Sequence, residues 1–281
     1  MTDRTNAASR PGKATAWELY DRLIEGVPAG IAVRDYCLGT HWSYVKADCG
    51  MGISFTTKGG SPYKTKDDLR KVELRDVAGL AKSWCFEEAS LGVAALNAWY
   101  SRPEMIDGLG ALYDDPTELP DGTIRKLDAF EAWRPRIEAA HPDGNAHVVV
   151  VGHFPHVDRI EEYAQLTVLE RNCTSPIDTP DPACEYVMPL ADYAFITGVT
   201  IINKTCPRLL QLTQHAATVM TGPSVVMSPL LFEYGANTLA GSVVEDPEKV
   251  QFAVKTGRGQ FFGEALRMTW VDRPSCQESA D

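Results

Sequence analysis

Apolar positions along the chain recur first at helical and then at strand spacing. Trp17, Leu19, Tyr20 and Leu23 fall on one face of a predicted helix over Ala16 to Ile24. Two short β-like runs follow, Ile31 to Cys37 and His41 to Val45, with Leu38, Gly39 and Thr40 as a hairpin connection. Gly50 to Phe55 reads as a third strand, and Lys58 to Pro62 as a Gly-rich loop. From Val77 to Tyr100 the pattern is helical, with a break near Ser83. Its interior is small: Ala89, Ser90, Gly92, Ala94, Ala95 and Ala98. A glycine inside a helix costs about 1 kcal/mol against alanine, so Gly92 implies close approach of another element. Three strands followed by helices make a small α+β unit.

Ser101 to Gly144 is irregular, interrupted by prolines and by Asp-Gly turns at Asp107, Asp121 and Asp143. It reads as a connection holding one helix, Lys126 to Ala140. From Ala146 the pattern changes. His147 to Val151 is a continuous apolar run ending at Gly152, the mark of a strand buried on both faces. Further runs at Leu166–Leu169, Tyr193–Thr197, Ala217–Met220 and Gly241–Val244 alternate with helical stretches. Those stretches are Val157 to Tyr163, Asn203 to His215 and Pro247 to Val254. Such alternation predicts an α/β fold, a Rossmann-like parallel sheet with right-handed crossovers. The predicted organisation is a polar lead-in over 1–15, the small unit over 16–100 and a connection over 101–145. The sheet domain follows over 146–273, and then a tail over 274–281.

Composition narrows the class. A chain of 281 residues with 44% hydrophobic content can bury a real core. A net charge of -11 without Lys/Arg blocks argues against nucleic-acid binding. No apolar run is long enough to span a bilayer and no secretory segment opens the chain, so a soluble, cytoplasmic protein is expected. The 7 cysteines are scattered, odd in number and without a CxxC pair, which favours reduced thiols over a disulfide framework.

In an open parallel sheet, ligands bind beyond the carboxyl ends of the strands at the topological switch point. That rule selects Gly152, His153, Phe154, Pro155 and His156 after the first strand and Glu170 after the second. It also selects Thr197 with Gly198, and Gly222 with Ser224, after later strands. Only one glycine of the G-x-G-x-x-G fingerprint is present, and Phe154-Pro155 would crowd a pyrophosphate, so a dinucleotide is disfavoured. Glu170 follows Gly152 at close to the ~20-residue spacing at which an acid meets a ribose. An adenosine-containing ligand without pyrophosphate, such as S-adenosylmethionine, therefore stays in play. His153 and His156 form an H-x-x-H pair that could share a transition metal ion with Glu170. Equally, one imidazole can cap the following helix while the other is solvated. In the small unit, Lys82 and Glu88 flank a predicted helix start and are candidates for acid-base work. Ser83 there reads as either an N-cap or a ligand contact.

Several segments carry a resemblance when taken in order. They are Trp17 to Asp21, Lys82 to Trp84 with Glu88 to Gly92, Ala95 to Asn97 and Val151 to His156. Leu169-Glu170, Asp192-Tyr193, Asn203 to Thr205 and Leu230 to Gly235 complete the set. Together they resemble the bacterial and archaeal family of heavy-metal chelation domain proteins. The resemblance implies an enolase N-terminal-like domain joined to the Rossmann-like domain. It also implies a ligand cleft between them, lined by Lys82 to Glu88, Gly152 to His156, Glu170, Thr197 and Gly222 to Ser224. Two functions are expected to compete. One is heavy-metal binding or chelation through His153, His156 and Glu170. The other is an enzyme holding S-adenosylmethionine or a similar ligand, with Glu170 on the ribose and Lys82 or Glu88 as acid-base groups. Expected partners are a small molecule or metal, with a homodimer possible and neither nucleic acid nor membrane involved.

Overall fold

The computed structural model describes residues 16–114, 128–259, 263 and 265–274. Helix α1 (Ala16–Glu25) precedes a meander of β1 (Val33–Leu38), β2 (Trp42–Ala47) and β3 (Gly50–Phe55). These strands form a three-stranded antiparallel sheet in the order β1-β2-β3. Helix α2 (Leu74–Gly79), a 3-10 turn over Leu80–Lys82 and helix α3 (Phe86–Tyr100) complete the small unit. The break near Ser83 is real, and α3 starts at Phe86 with Cys85 at the N-cap. Ser83 is therefore not the N-cap. Its Oγ accepts the Cys85 N–H at 3.1 Å and donates to Glu88 at 2.6 Å.

Almost all of α3 is buried, which is why its interior is small. At Gly92 an added Cβ would sit 2.0 Å from Ala81 N. Backbone contact with the 3-10 turn, not local flexibility, keeps that position a glycine.

The rest of the chain builds an eight-stranded sheet. Its elements are α4 (Pro103–Asp107), β4 (Leu112–Tyr113), α5 (Ala129–Ala140), β5 (His147–Val151), β6 (Gln165–Glu170) and β7 (Asp178–Pro180). They continue with α6 (Cys184–Val187), β8 (Tyr193–Thr197), α7 (Val199–Ile202), α8 (Cys206–Leu212) and β9 (Ala217–Thr221). Last come α9 (Leu230–Glu233), β10 (Thr238–Val244), α10 (Pro247–Lys255) and β11 (Leu266–Asp272). The strand order is β4-β11-β10-β9-β8-β5-β6-β7. Strands β5 to β10 are parallel, and in their own sequence order they lie as in the doubly wound dinucleotide fold. β11 and β4 add an antiparallel edge. The sequence reading contained no strand at β4, β7 or β11, and its helix over Asn203 to His215 covers α8 while leaving α7 unassigned.

β5 shows why its run is uniformly apolar. Val148 and Val150 enter one core with α5 and the 157–162 turn, while Val149 and Val151 enter another with α3 and α7. Helix α5 packs Phe130 and Trp133 against Phe195, Tyr193 and Trp270, so it covers one face of the large sheet. The other face shares a continuous core with the small unit, from Leu19 and Tyr20 through Val93 to Ile196 and Leu231. Tyr20 Oη donates to Ile201 O at 2.7 Å, and the Phe55 N–H donates to Ser224 Oγ at 2.8 Å. Among the described residues no helix is long and apolar enough to cross a membrane.

Candidate functional site

The switch point lies between β5, which continues to β6, and β8, which continues to β9 on the opposite side. Gly152 ends β5 at φ +100°, a conformation that suits glycine. A Cβ there would lie 3.1 Å from Thr197 Cγ2 and 3.5 Å from the Phe154 ring. The same ring stands 3.7 Å from where a Cβ on Gly222 would be, and edge-on to Phe130 at 5.5 Å. Gly152, Phe154, Thr197 and Gly222 are therefore gathered over the carboxyl ends of β5, β8 and β9. Phe154 fills the space that a pyrophosphate-binding loop leaves open.

His153 is held at two points. Its backbone N–H donates to Glu170 Oε2 at 3.0 Å, and its Nδ1 lies 2.6 Å from Asp178 Oδ1. Asp178 Oδ2 accepts the N–H groups of Thr174 and Ser175, each at 2.8 Å. The Asp178 side chain is 0% exposed, whereas that of His153 is 36% exposed. The His153 bond, with the two backbone N–H groups, holds the Asp178 carboxyl below its ordinary range. A carboxylate on Nδ1 favours the tautomer protonated there, which in the neutral ring leaves the lone pair on Nε2.

Glu170 closes the turn after β6. Besides the His153 amide it accepts Arg171 N–H at 2.8 Å and Asn172 N–H at 3.0 Å. His156 is exposed, in the left-handed conformation at φ 59°, and begins the 157–162 turn. Among the described residues no three His, Cys, Asp or Glu side chains are grouped to hold a metal ion. The pairing expected of His153, His156 and Glu170 is thus replaced by His153 with Asp178. The residues present do not fit a resident ion liganded by protein alone, which needs three or four converging donors.

The candidates from the small unit are committed to other partners. Glu88 is 4% exposed, and its Oε1 accepts Lys64 N–H, Thr65 N–H and the Thr65 hydroxyl. Burial pushes this carboxyl up, but the bonds from Ser83, Lys64 and Thr65 outweigh it and hold it below its ordinary range. Lys82 pairs with Asp21 and lies over the Trp17 ring at 5.2 Å. Ser224 is spent on the Phe55 amide. Each of the three joins chain segments in the structure.

Sequence reasoning missed Asp178 and Lys204. Asp178 lies in an irregular stretch and reaches His153 only through the parallel pairing of β6 and β7. Lys204 had a signal, since Asn203-Lys-Thr205 was among the segments of the resemblance. Burial drops the Lys204 amine to about 8.

The chain matches two family models, over residues 20–100 and 137–269, both described as "Putative heavy-metal chelation". No curated protein matches it. A crystal structure from Desulfitobacterium hafniense DCB-2, a DUF364-family protein of unknown function, is 30% identical. It superposes with a TM-score of 0.75 over 92% of this chain and 98% of that one. A DUF364-family structure from Pyrococcus horikoshii, 20% identical, gives a TM-score of 0.74 over 92% and 99% of the two chains. The second likeness concerns the fold alone, while the first carries membership: this chain belongs to the DUF364 family.

Proposed function

We propose that this protein handles a heavy-metal ion as a complex with a small organic chelator, at the mouth over β5, β8 and β9. The carrying observation is the His153–Asp178 pair, with Nδ1 fixed at 2.6 Å from the carboxylate and the imidazole partly exposed. A metal-binding imidazole commonly has such a carboxylate behind it. One imidazole cannot satisfy a transition metal, so the remaining coordination positions fall to the chelator that brings the ion. The family description agrees with metal as cargo.

The experiment is calorimetric titration with Cu(II), Ni(II) and Zn(II), free and as their nitrilotriacetate complexes. Wild-type protein should prefer a complexed ion to the free one, and His153→Ala should lose at least tenfold in affinity. Equal binding by wild type and His153→Ala would end this reading. In it the protein works in the cytoplasm without nucleic acid or membrane, and light scattering decides between monomer and homodimer.

A second reading is favoured by the strand order and by Glu170 at the tip of β6 beside Gly152. There the mouth takes an adenosine-containing ligand such as S-adenosylmethionine, with Glu170 toward the ribose. Three backbone N–H groups already bind Glu170, leaving it about one acceptor site of the four that a carboxylate offers. Titration with S-adenosylmethionine, comparing wild type with Glu170→Gln, separates the two readings.

A further inference from the structure

Lys204 sits at the seam between the two units, just after α7, and the function proposed above makes no use of it. Its backbone is left-handed at φ 69°, a conformation that helix ends usually give to glycine or asparagine. The side chain is thereby turned across the seam onto the segment preceding α3. Nζ donates to the carbonyl oxygens of Ser83 and Ile202, the latter at 2.7 Å. It stands 5.9 Å from the centroid of Trp84 and 5.6 Å from that of Phe86. Among the described residues no Asp or Glu forms an ion pair with it.

Two carbonyls and two ring faces surround the amine, and among the described residues no carboxylate does. With half its surroundings apolar and no counter-ion to restore the charge, more of it is free base near neutral pH than of an exposed lysine. A lysine desolvated in this way is the usual source of a nucleophilic amine. The burial effect on Lys204 runs in the same direction, opposed only by Cys85.

We infer that Lys204 is a nucleophilic amine at the seam between the two units and forms an imine with a small aldehyde or ketone. In the step, the Nζ lone pair adds to the carbonyl carbon and the oxygen takes up a proton. The carbinolamine then expels that oxygen as water as the nitrogen gives up its proton, leaving C=N. No oxidant or reductant is needed. Trp84, 56% exposed, and the half-buried Phe86 give the carbonyl compound an apolar wall.

The test treats the intact wild-type protein with glycolaldehyde and sodium cyanoborohydride at a series of pH values, followed by peptide mass spectrometry. The expected result is labelling at Lys204 at least tenfold faster than at the exposed Lys58 and Lys249 near neutral pH, converging with them in alkali. Labelling of Lys204 no faster than the exposed lysines at any pH would overturn the inference and leave the residue a helix cap that pins the seam. Lys204→Arg keeps donors for Ser83 and Ile202 but lacks the amine. It should fold and lose the fast label, and persistence of that label would equally overturn the assignment.

Discussion

His153 Nδ1 and Asp178 Oδ1 lie 2.6 Å apart although 25 residues separate them in the chain. Asp178 is anchored from behind by two backbone N–H groups, so the imidazole can rotate little without leaving a fully enclosed carboxylate unpaired. An asparagine cannot accept from Thr174 and Ser175 and from His153 together, because one of its two ends donates. Asp178→Asn should therefore weaken binding of a metal–chelator complex about 10- to 100-fold without removing a ligand. Calorimetry on the folded variant checks this, and unchanged affinity would show that His153 needs no orienting partner.

Glu88 gives a prediction about acid. Its folded carboxyl is held below its ordinary value of 4.5, so the stability it contributes is present above that value. That contribution is lost as the pH falls through the folded pKa. Glu88→Gln should therefore be less stable than wild type near neutrality, by about 1 kcal/mol, and converge with it as the pH falls through the folded pKa. Glu88→Ala also strands the amides of Lys64 and Thr65 and should cost about 2–3 kcal/mol. Urea midpoints across the acid range measure both effects.

The fold was legible where one element's own sequence settles its environment. Val148 to Val151 must be buried on both faces because none of the four side chains is polar, and both cores receive them. Gly92 announced a close contact because nothing local rewards a glycine there. The strand-end rule located Gly152, Phe154, Thr197 and Gly222, which do meet. What could not be read were pairings set by distant segments. Nothing in the stretch around Ile177 and Thr179 marks Asp178 as the partner of an imidazole on the loop after β5, two strands away. Lys82 and Glu88 look like an acid-base pair in sequence. In the structure Asp21 captures the first, and the 64–65 loop with Ser83 captures the second. Strand β11 was hidden because its burial depends on pairing between β10 and the short β4.

Gly92→Ala reverses the sign that helix propensity suggests. Alanine should stabilise an isolated helix by about 1 kcal/mol. Here its methyl would lie 2.0 Å from Ala81 N and 2.5 Å from Leu80 C, which are backbone atoms of a packed turn. Overlap of this kind costs about 1–3 kcal/mol or more, so the variant should be less stable than wild type. Thermal melting of the pair decides it, and a raised midpoint would mean that the 80–82 turn yields easily.

The cysteines divide by burial. Cys206 is enclosed in the first turn of α8, and burial pushes its thiol up to about 12. Cys173 is exposed beyond the end of β6. Since the thiolate is the reactive form and must be reached, iodoacetamide should label Cys173 in the native protein and Cys206 only after denaturant is added. Peptide mapping reads both, and native labelling of Cys206 would reveal opening of the core beneath α8.

Tyr20 bears on whether the two sheets unfold together. It is 1% exposed on α1, and its hydroxyl donates to Ile201 O in α7, so it crosses from the small unit to the large one. Burial, with Cys206 close by, pushes the phenol well above its ordinary range, and it stays a donor throughout the working pH range. Tyr20→Phe keeps the ring and strands a buried carbonyl, at a cost of about 1–2 kcal/mol. Because Leu19, Tyr20, Val93, Ile196 and Leu231 share one core, that loss should move the whole unfolding curve rather than detach one sheet. Far-ultraviolet dichroism and tryptophan fluorescence should give a single coincident transition in both proteins, shifted to lower urea in the variant. Two separated transitions in Tyr20→Phe would instead mean that this bond couples units able to fold alone, and that the seam around it opens.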